Sequence, residues 1–482
     1  MSCKSVPMEM LKGESAYLWQ VSQSGYEVAI LQSDSQANRW SSTENNSSNA
    51  WNVNFGSGQF NNNNNNNNKN NAFGVRPVVA YDTPFDFQNL VNAAFRDCCK
   101  GKRNSTACID YCQIANDDLP ALAHELYTGT YRPGVSTCFL VKYPKYREVF
   151  AACFRDRIVH HLLFLQLNPL FEQRFIAQGN VSFNCRKGFG TRAAQMHAFE
   201  CIRKATDNYR RKAWVYRGDI VSFFMSIDKR ILWNKLEAFI KRNYSGPYLK
   251  VILAVTRIVV FHCPEKRCVF NSPVEEWADH VEREKSLFGV DDFHGMPIGN
   301  LTTQIFANFL MSFFDDFARS WFESRQLPFY YARFVDDFLV TCQSKAALKR
   351  FAKDACVYLH ERFQLKVHRH KYHFQLVSHG VMFVGVYLKN GRMYLSNRVL
   401  ARFLERVYGF NEMLRSKSVI TICDMLRMER VLNSYLGFCK GLHTYGLRRT
   451  LLSSFCPRFY EYFIIRNNYG CVNVRREMRL SA

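Results

Sequence analysis

The spacing of apolar side chains changes period repeatedly along this chain, and each change marks an element. Phe85 to Cys99 places apolar residues at helical intervals, as does Leu119 to Leu126 before Gly129 and Pro133 end the run. Thr137 to Tyr143 and Arg147 to Phe154 read as two strands joined through Pro144-Lys145-Tyr146. Val159 to Phe175 is a strongly apolar helix, and Ala213 to Ile220 a strand ending in Gly218-Asp219-Ile220. Gly295-Met296-Pro297-Ile298-Gly299 is a tight loop opening another helix, whose broad apolar stripe through Ile305, Phe309, Phe313 and Phe317 must be buried. A hairpin over Tyr330 to Val340, a helix over Ala346 to Arg362 and a hairpin over Gly380 to Leu388 follow. From Asn397 onward the pattern is helical and basic.

The hairpin at Tyr330 carries Asp336-Asp337 where a tight turn would favour Asn-Gly or Asp-Gly. Adjacent carboxylates repel, and a pair set among aromatic residues is costly unless cations lie between them. Hard oxygen ligands of this kind suit Mg²⁺, and Asp219 at the end of an apolar strand is a natural third ligand. Three such carboxylates on adjoining strands can hold two Mg²⁺ ions for phosphoryl chemistry. The plain alternative is a solvated Asp-Asp turn. Phe224, five residues beyond Asp219, is either a core residue or a ring set beneath the sugar of an incoming nucleotide.

Composition narrows the partners. The chain has 482 residues and a formal net charge of +23, and residues 1–81 contribute none of it, with five basic and five acidic side chains. A body that basic is matched by a polyanion, nucleic acid above all. Lys142, Arg147 and Arg155 lie on or beside the first hairpin, where Arg can bind phosphate bidentately. Asn184-Cys185-Arg186-Lys187-Gly188-Phe189-Gly190 is a basic, Gly-rich turn that lets backbone approach a phosphate or a strand of nucleic acid. No apolar run reaches membrane-spanning length and no signal peptide is evident, so the expected setting is cytoplasmic. The 17 cysteines are then reduced and mostly buried. Cys98, Cys99, Cys108 and Cys112 lie close enough to suggest zinc, but no second CxxC or His pair supplies finger spacing.

Residues 1–81 are different in kind. Ser41 to Asn71 is dominated by Asn, Ser and Gly, with an unbroken Asn61 to Asn68 run, and such a tract buries too little apolar surface to offset chain entropy. Trp51-Asn52-Val53-Asn54-Phe55 and Val75-Arg76-Pro77-Val78 stand out from this background.

In their order, the finger hairpin, Asp219 with Phe223-Phe224, the Gly-Met-Pro-Ile-Gly loop, the Val-Asp-Asp hairpin and a Lys-bearing segment resemble a reverse transcriptase. Ile298-Gly299 and Thr303-Gln304, with Arg147-Glu148-Val149-Phe150, are similar to the diversity-generating retroelement enzymes in particular. The resemblance implies an α+β right-hand polymerase of fingers, palm and thumb, with an antiparallel palm sheet and a helical thumb. It divides the chain into a leader at 1–81, fingers and palm at 82–375, and a palm–thumb hairpin with a basic helical thumb at 376–482. It makes Asp219, Asp336 and Asp337 catalytic, with the Ile220 carbonyl completing a metal site. It places Lys142, Arg147, Phe224, Ile298, Gly299, Gln304 and Lys371 around a dNTP, and Arg155, Arg186 and Lys187 along nucleic acid. The partners it implies are template RNA, cDNA and a small basic multimeric accessory protein, with no membrane. Such enzymes misincorporate opposite template adenines, and the Asn-rich leader resembles a translated template repeat. The alternatives are a retron or phage-defence reverse transcriptase, or a lectin-like ligand-binding protein, which would leave the three aspartates unexplained.

Overall fold

The computed structural model describes residues 83–142, 145–368 and 373–480, and the backbone of five short strands between residues 17 and 61. Strands β1 (Tyr17–Val21) and β2 (Glu27–Leu31) pair antiparallel, and β3 (Asn38–Glu44), β4 (Ala50–Asn54) and β5 (Gln59–Asn61) form a meander. Most of the Asn61 to Asn68 run, Val75 to Val78 and Lys371 lie outside the described residues, so the expected leader falls largely outside them too.

The chain divides into two compact units, residues 1–132 and 133–482. In the first, α1 (Phe85–Cys99) and α2 (Thr106–Thr128) form a helical hairpin. The expected helix at Leu119 to Leu126 is only the end of α2. Pro120 removes a single hydrogen-bond donor, while Tyr111, Ala115, Leu119, Leu122 and Leu126 keep one buried stripe across it. Gly129, at φ 78°, stops the helix in the left-handed region.

In the second unit β6 (Ser136–Val141) and β7 (Arg147–Ala151) lead into α3 (Phe154–Ala177) and α4 (Thr191–Ala205). Strand β8 (Trp214–Gly218) precedes the single turn α5 (Phe223–Ser226) and the helices α6 (Lys229–Asn243) and α7 (Leu249–Phe261). An excursion through β9 (Cys268–Phe270) and α8 (Glu275–His280) brings the chain to α9 (Leu301–Glu323). Then come β10 (Tyr330–Phe334), β11 (Asp337–Cys342), α10 (Lys345–Phe363) and β12 (His373–Leu376). A meander of β13 (Val381–Phe383), β14 (Val386–Lys389) and β15 (Arg392–Leu395) follows. The chain ends in α11 (Asn397–Ser416), α12 (Ile422–Cys439), α13 (Tyr445–Ser453), α14 (Pro457–Tyr462), the hairpin β16 (Phe463–Arg466) and β17 (Cys471–Val474), and α15 (Arg476–Leu480).

The central sheet has the order β10-β11-β8-β12, all antiparallel. Alternation along the strands gives it two apolar faces. Tyr216 and Phe338 pack on one side against Phe314 of α9 and Phe351 of α10. Val215, Ala332 and Leu339 join Ala194, Ala198 and Ile202 of α4 on the other. Gly218 is required here, because a Cβ would stand 2.3 Å from the Phe338 ring. The C-terminal helices bury a separate core around Phe403, Leu432 and Phe459. The β16–β17 hairpin caps that core where the sequence read as helical throughout, since Phe463, Val472 and Val474 are buried by alternation in runs too short to show a period.

Candidate active site

Register brings the carboxylates together. Phe334 pairs with Asp337, so Val335 and Asp336 form a two-residue turn. Phe338 pairs with Gly218, and one step further along that register Asp219 faces Asp337. Residues facing each other across an antiparallel pair share a face of the sheet. Asp219 and Ile220 are fixed from the other side, where Asp219 O accepts from His368 N at 2.8 Å and Val221 N donates to Lys366 O at 2.8 Å. All three aspartates are half-buried.

Arg217 completes this group, and sequence reading missed it. Its Nε donates to Asp337 Oδ1 at 2.8 Å and its Nη1 to Met382 O at 3.2 Å. It stands two residues before Asp219 and therefore on the same face, the signal that was available. The oxygens of the three acids do not converge within 4.8 Å as a set, and Arg217 pairs with Asp337.

Beneath the turn lies a second arginine. Arg333 is fully buried and binds Asp315 bidentately, Nε to Oδ1 at 2.7 Å and Nη2 to Oδ2 at 2.6 Å. Its Nη1 donates to Asn308 Oδ1 at 2.9 Å and to Val335 O at 3.0 Å, and the Tyr331 hydroxyl donates to Asp315 at 2.7 Å. Val335 has φ 60°, a conformation that costs a β-branched residue about 1–3 kcal/mol and persists only where surroundings impose it. The Arg333–Asp315 pair, anchored on α9, is what holds the Val335 carbonyl.

The loop before α9 meets β7 and α5 directly. Phe150 N donates to Ile298 O at 2.8 Å, and Met296 N to Phe224 O at 2.8 Å. Gly299, at φ 128°, approaches so closely that a Cβ would lie 2.6 Å from Phe150 O. Phe224 and Ile298 are half-buried against one apolar cluster of Cys138, Leu140, Phe150, Met225, Trp277 and Leu287. Glu148 of β7 is buried, accepting from Trp277 Nε1, Ser286 Oγ and Leu287 N at 2.9, 2.7 and 2.8 Å, and burial raises its pKa.

The cations are placed unequally. Arg147 and Lys187 are exposed and Arg155 is half-buried. Lys142 is exposed but paired with Glu276 at 3.0 Å, which raises its pKa. Arg186 needs correction, because its side chain is fully buried and cannot lie along nucleic acid. It is paired with Glu172 at 3.0 Å, donates to Ser182 O and Asn180, and stacks 4.0 Å from the Phe189 ring. Gln304 is exposed and accepts from Cys185 Sγ at 2.6 Å. Lys371 lies outside the described residues.

An antiparallel palm sheet with carboxylates at adjoining strand ends, a fingers hairpin on one side and helices after it define a right-hand template-directed polymerase fold. The family model for reverse transcriptase (RNA-dependent DNA polymerase) matches residues 142–388, half of the chain, and the protein belongs to that family. A comparison with curated proteins gives no match. Among solved structures, telomerase from Candida albicans in complex with a fragment of telomeric RNA is 12% identical, with a TM-score of 0.39, over 69% of this chain and 58% of that one. Apo telomerase from Candida tropicalis is 11% identical, with a TM-score of 0.39, over 68% of this chain and 63% of that one. The chain thus spans about three fifths of the length of the solved relatives it matches.

Proposed function

We propose that the protein is an RNA-directed DNA polymerase that copies a template-repeat RNA into cDNA with errors concentrated opposite adenine, as in diversity-generating retroelements. The observation that carries the finer part is Ile298, set against Phe224 and Phe150 in an apolar cluster where a polar side chain would otherwise test the geometry of the nascent pair. The Asn-rich segment within residues 1–81 agrees with it. Asn codons begin with two adenines, so a translated template repeat carries Asn wherever the target is to vary.

The donor set at the palm suits Mg²⁺: hard carboxylate oxygens of Asp219, Asp336 and Asp337, with the Ile220 carbonyl beside them. Bound ions would supply a lowered pKa at a primer 3′-hydroxyl and charge neutralisation at the departing pyrophosphate. The protein's own side chains do the rest. Arg217, bonded to Asp337 Oδ1, offsets the charge of that carboxylate and orients it. The Phe224 ring excludes a 2′-hydroxyl, Arg147, Lys142 and Lys371 meet phosphates, and Lys187 with Arg155 lies along nucleic acid. A small basic accessory protein joins the complex, and residues 1–81 are dispensable to polymerisation.

Primer extension on a defined RNA by the purified chain, followed by cDNA sequencing, tests this. Errors clustered at template adenines are expected, and Ile298→Gln should reduce them relative to errors at other bases. An even error spectrum in the unmodified chain would leave an ordinary reverse transcriptase and remove the retroelement reading.

A further inference from the structure

Cys99 ends α1, and Cys108 and Cys112 lie four residues apart on one face in the first turns of α2. The intervening loop returns the chain so that the three sulfurs lie within 4.8 Å of one another, with Cys99 and Cys108 3.5 Å apart. Four sulfur ligands at about 2.3 Å around a tetrahedral ion stand about 3.8 Å from each other, so the triad spans what one ion requires. A disulfide would need about 2.05 Å, so these thiols are not bonded to each other. Among the described residues no other three His, Cys, Asp or Glu side chains come together in this way, the palm carboxylates included. The sequence suggests zinc from the closeness of these cysteines but discounts it, because their spacing follows no finger motif. A helical hairpin supplies the convergence instead.

The donor type and the charge around the triad suit a soft divalent cation. Cys99 and Cys108 are buried and Cys112 is exposed, so the open side of the triad faces solvent. Lys100, Lys102 and Arg103 are exposed on the connecting loop. Three thiolates around Zn²⁺ leave one negative charge, which these cations offset.

We propose that Cys99, Cys108 and Cys112 bind one Zn²⁺ ion, with water in the fourth position, and that the ion clamps the turn between α1 and α2. Binding releases the three thiol protons to solvent and forms three Zn–S bonds, with no change of oxidation state. The clamp fixes the basic loop in a single outward conformation.

The test uses the full chain, purified under reducing conditions, exposed to Zn²⁺ in excess Mg²⁺ so that the palm carboxylates do not hold zinc, and freed of unbound metal by gel filtration. About one zinc per chain is expected. Co²⁺ in its place should give the intense near-ultraviolet absorption of thiolate ligation. Cys112→Ser, at an exposed position that leaves packing intact, should lose both signals, while Cys356→Ser keeps them. Chelation should lower the melting temperature of the unmodified chain and not that of Cys112→Ser. Absence of retained zinc, retention undiminished in Cys112→Ser, or a Cys99–Cys108 disulfide in the unreduced mass would each overturn the assignment.

Discussion

Strands β10 and β11 turn over a buried guanidinium, and the charges at their tip are fixed from below by Arg333, Asp315 and Asn308. Strands β6 and β7 also turn between charged residues, but Lys142 and Arg147 are on the surface, and the buried anchor of that hairpin is Glu148. The first hairpin presents acids whose spacing must survive their repulsion. The second presents cations at the surface, one of them, Lys142, already paired with Glu276. The same element buries a guanidinium beneath its turn in one case and a carboxylate on its strand in the other.

The contrast is sharpest in activity. Asp336→Asn should reduce primer extension by about a thousandfold or more while leaving RNA binding near normal, since a ligand is lost and the basic surface is not. Near-normal extension by the purified variant would return the turn to a solvated pair. Stability should separate the hairpins next. Arg333→Met strands a buried Asp315 and is expected to cost about 3–5 kcal/mol, read from urea midpoints. Lys142→Ala removes an exposed pair with Glu276 and should cost less than about 1 kcal/mol. Equal costs would erase the distinction.

Sugar choice comes next, since Phe224 packs against the cluster shared by β6, β7 and Ile298. Phe224→Ala should raise ribonucleotide incorporation relative to deoxyribonucleotide by about tenfold, and an unchanged ratio would make the ring a packing residue only.

Acid is the most diagnostic probe, because two buried groups, His160 of α3 and Glu148 of β7, titrate with opposite sign. His160, fully buried beside Thr302 Oγ1 at 2.8 Å, is held neutral by burial, its pKa lowered from 6.5 to about 3. The unfolded chain takes up that proton first, so stability is lost as pH falls from about 6.5 toward 3, by up to about 1.4 kcal/mol per unit. Glu148 has a raised pKa, so its contribution is present at low pH and is lost as pH rises above the ordinary carboxylate value. His160→Asn should flatten the acid limb of a stability–pH curve, and Glu148→Gln the shallower limb above it. A curve unmoved by His160→Asn would mean that the imidazole does not titrate between folded and unfolded states.

Much of this was legible in order along the chain. The Asp336-Asp337 hairpin, the strand ending at Asp219 and the buried helix α9 are written in local periodicity, which short windows capture. What escaped is non-local. Arg217 meets Asp337 across 120 residues and Glu148 meets Ser286 across 138, and no spacing rule links such partners. Arg186 shows the converse error. A basic, Gly-rich turn reads as a surface feature, yet Glu172 from the preceding helix and the rings of Phe175 and Phe189 enclose that guanidinium completely.

The contact between Gly299 and Phe150 has a mechanical meaning for the fingers. The Phe150 N–H is bonded to Ile298 O and its carbonyl lies against Gly299, so β7 is moored at that residue to the loop that opens α9. Arg147 lies three residues further out, roughly 10 Å along an extended strand. The strand is then a lever with its fulcrum at Phe150, and a tilt of about 10° would carry the Arg147 backbone about 2 Å, comparable to the difference between a loose and a made phosphate contact. Because the fulcrum belongs to the same loop as Ile298, any load on the cationic end is transmitted as torque to that loop.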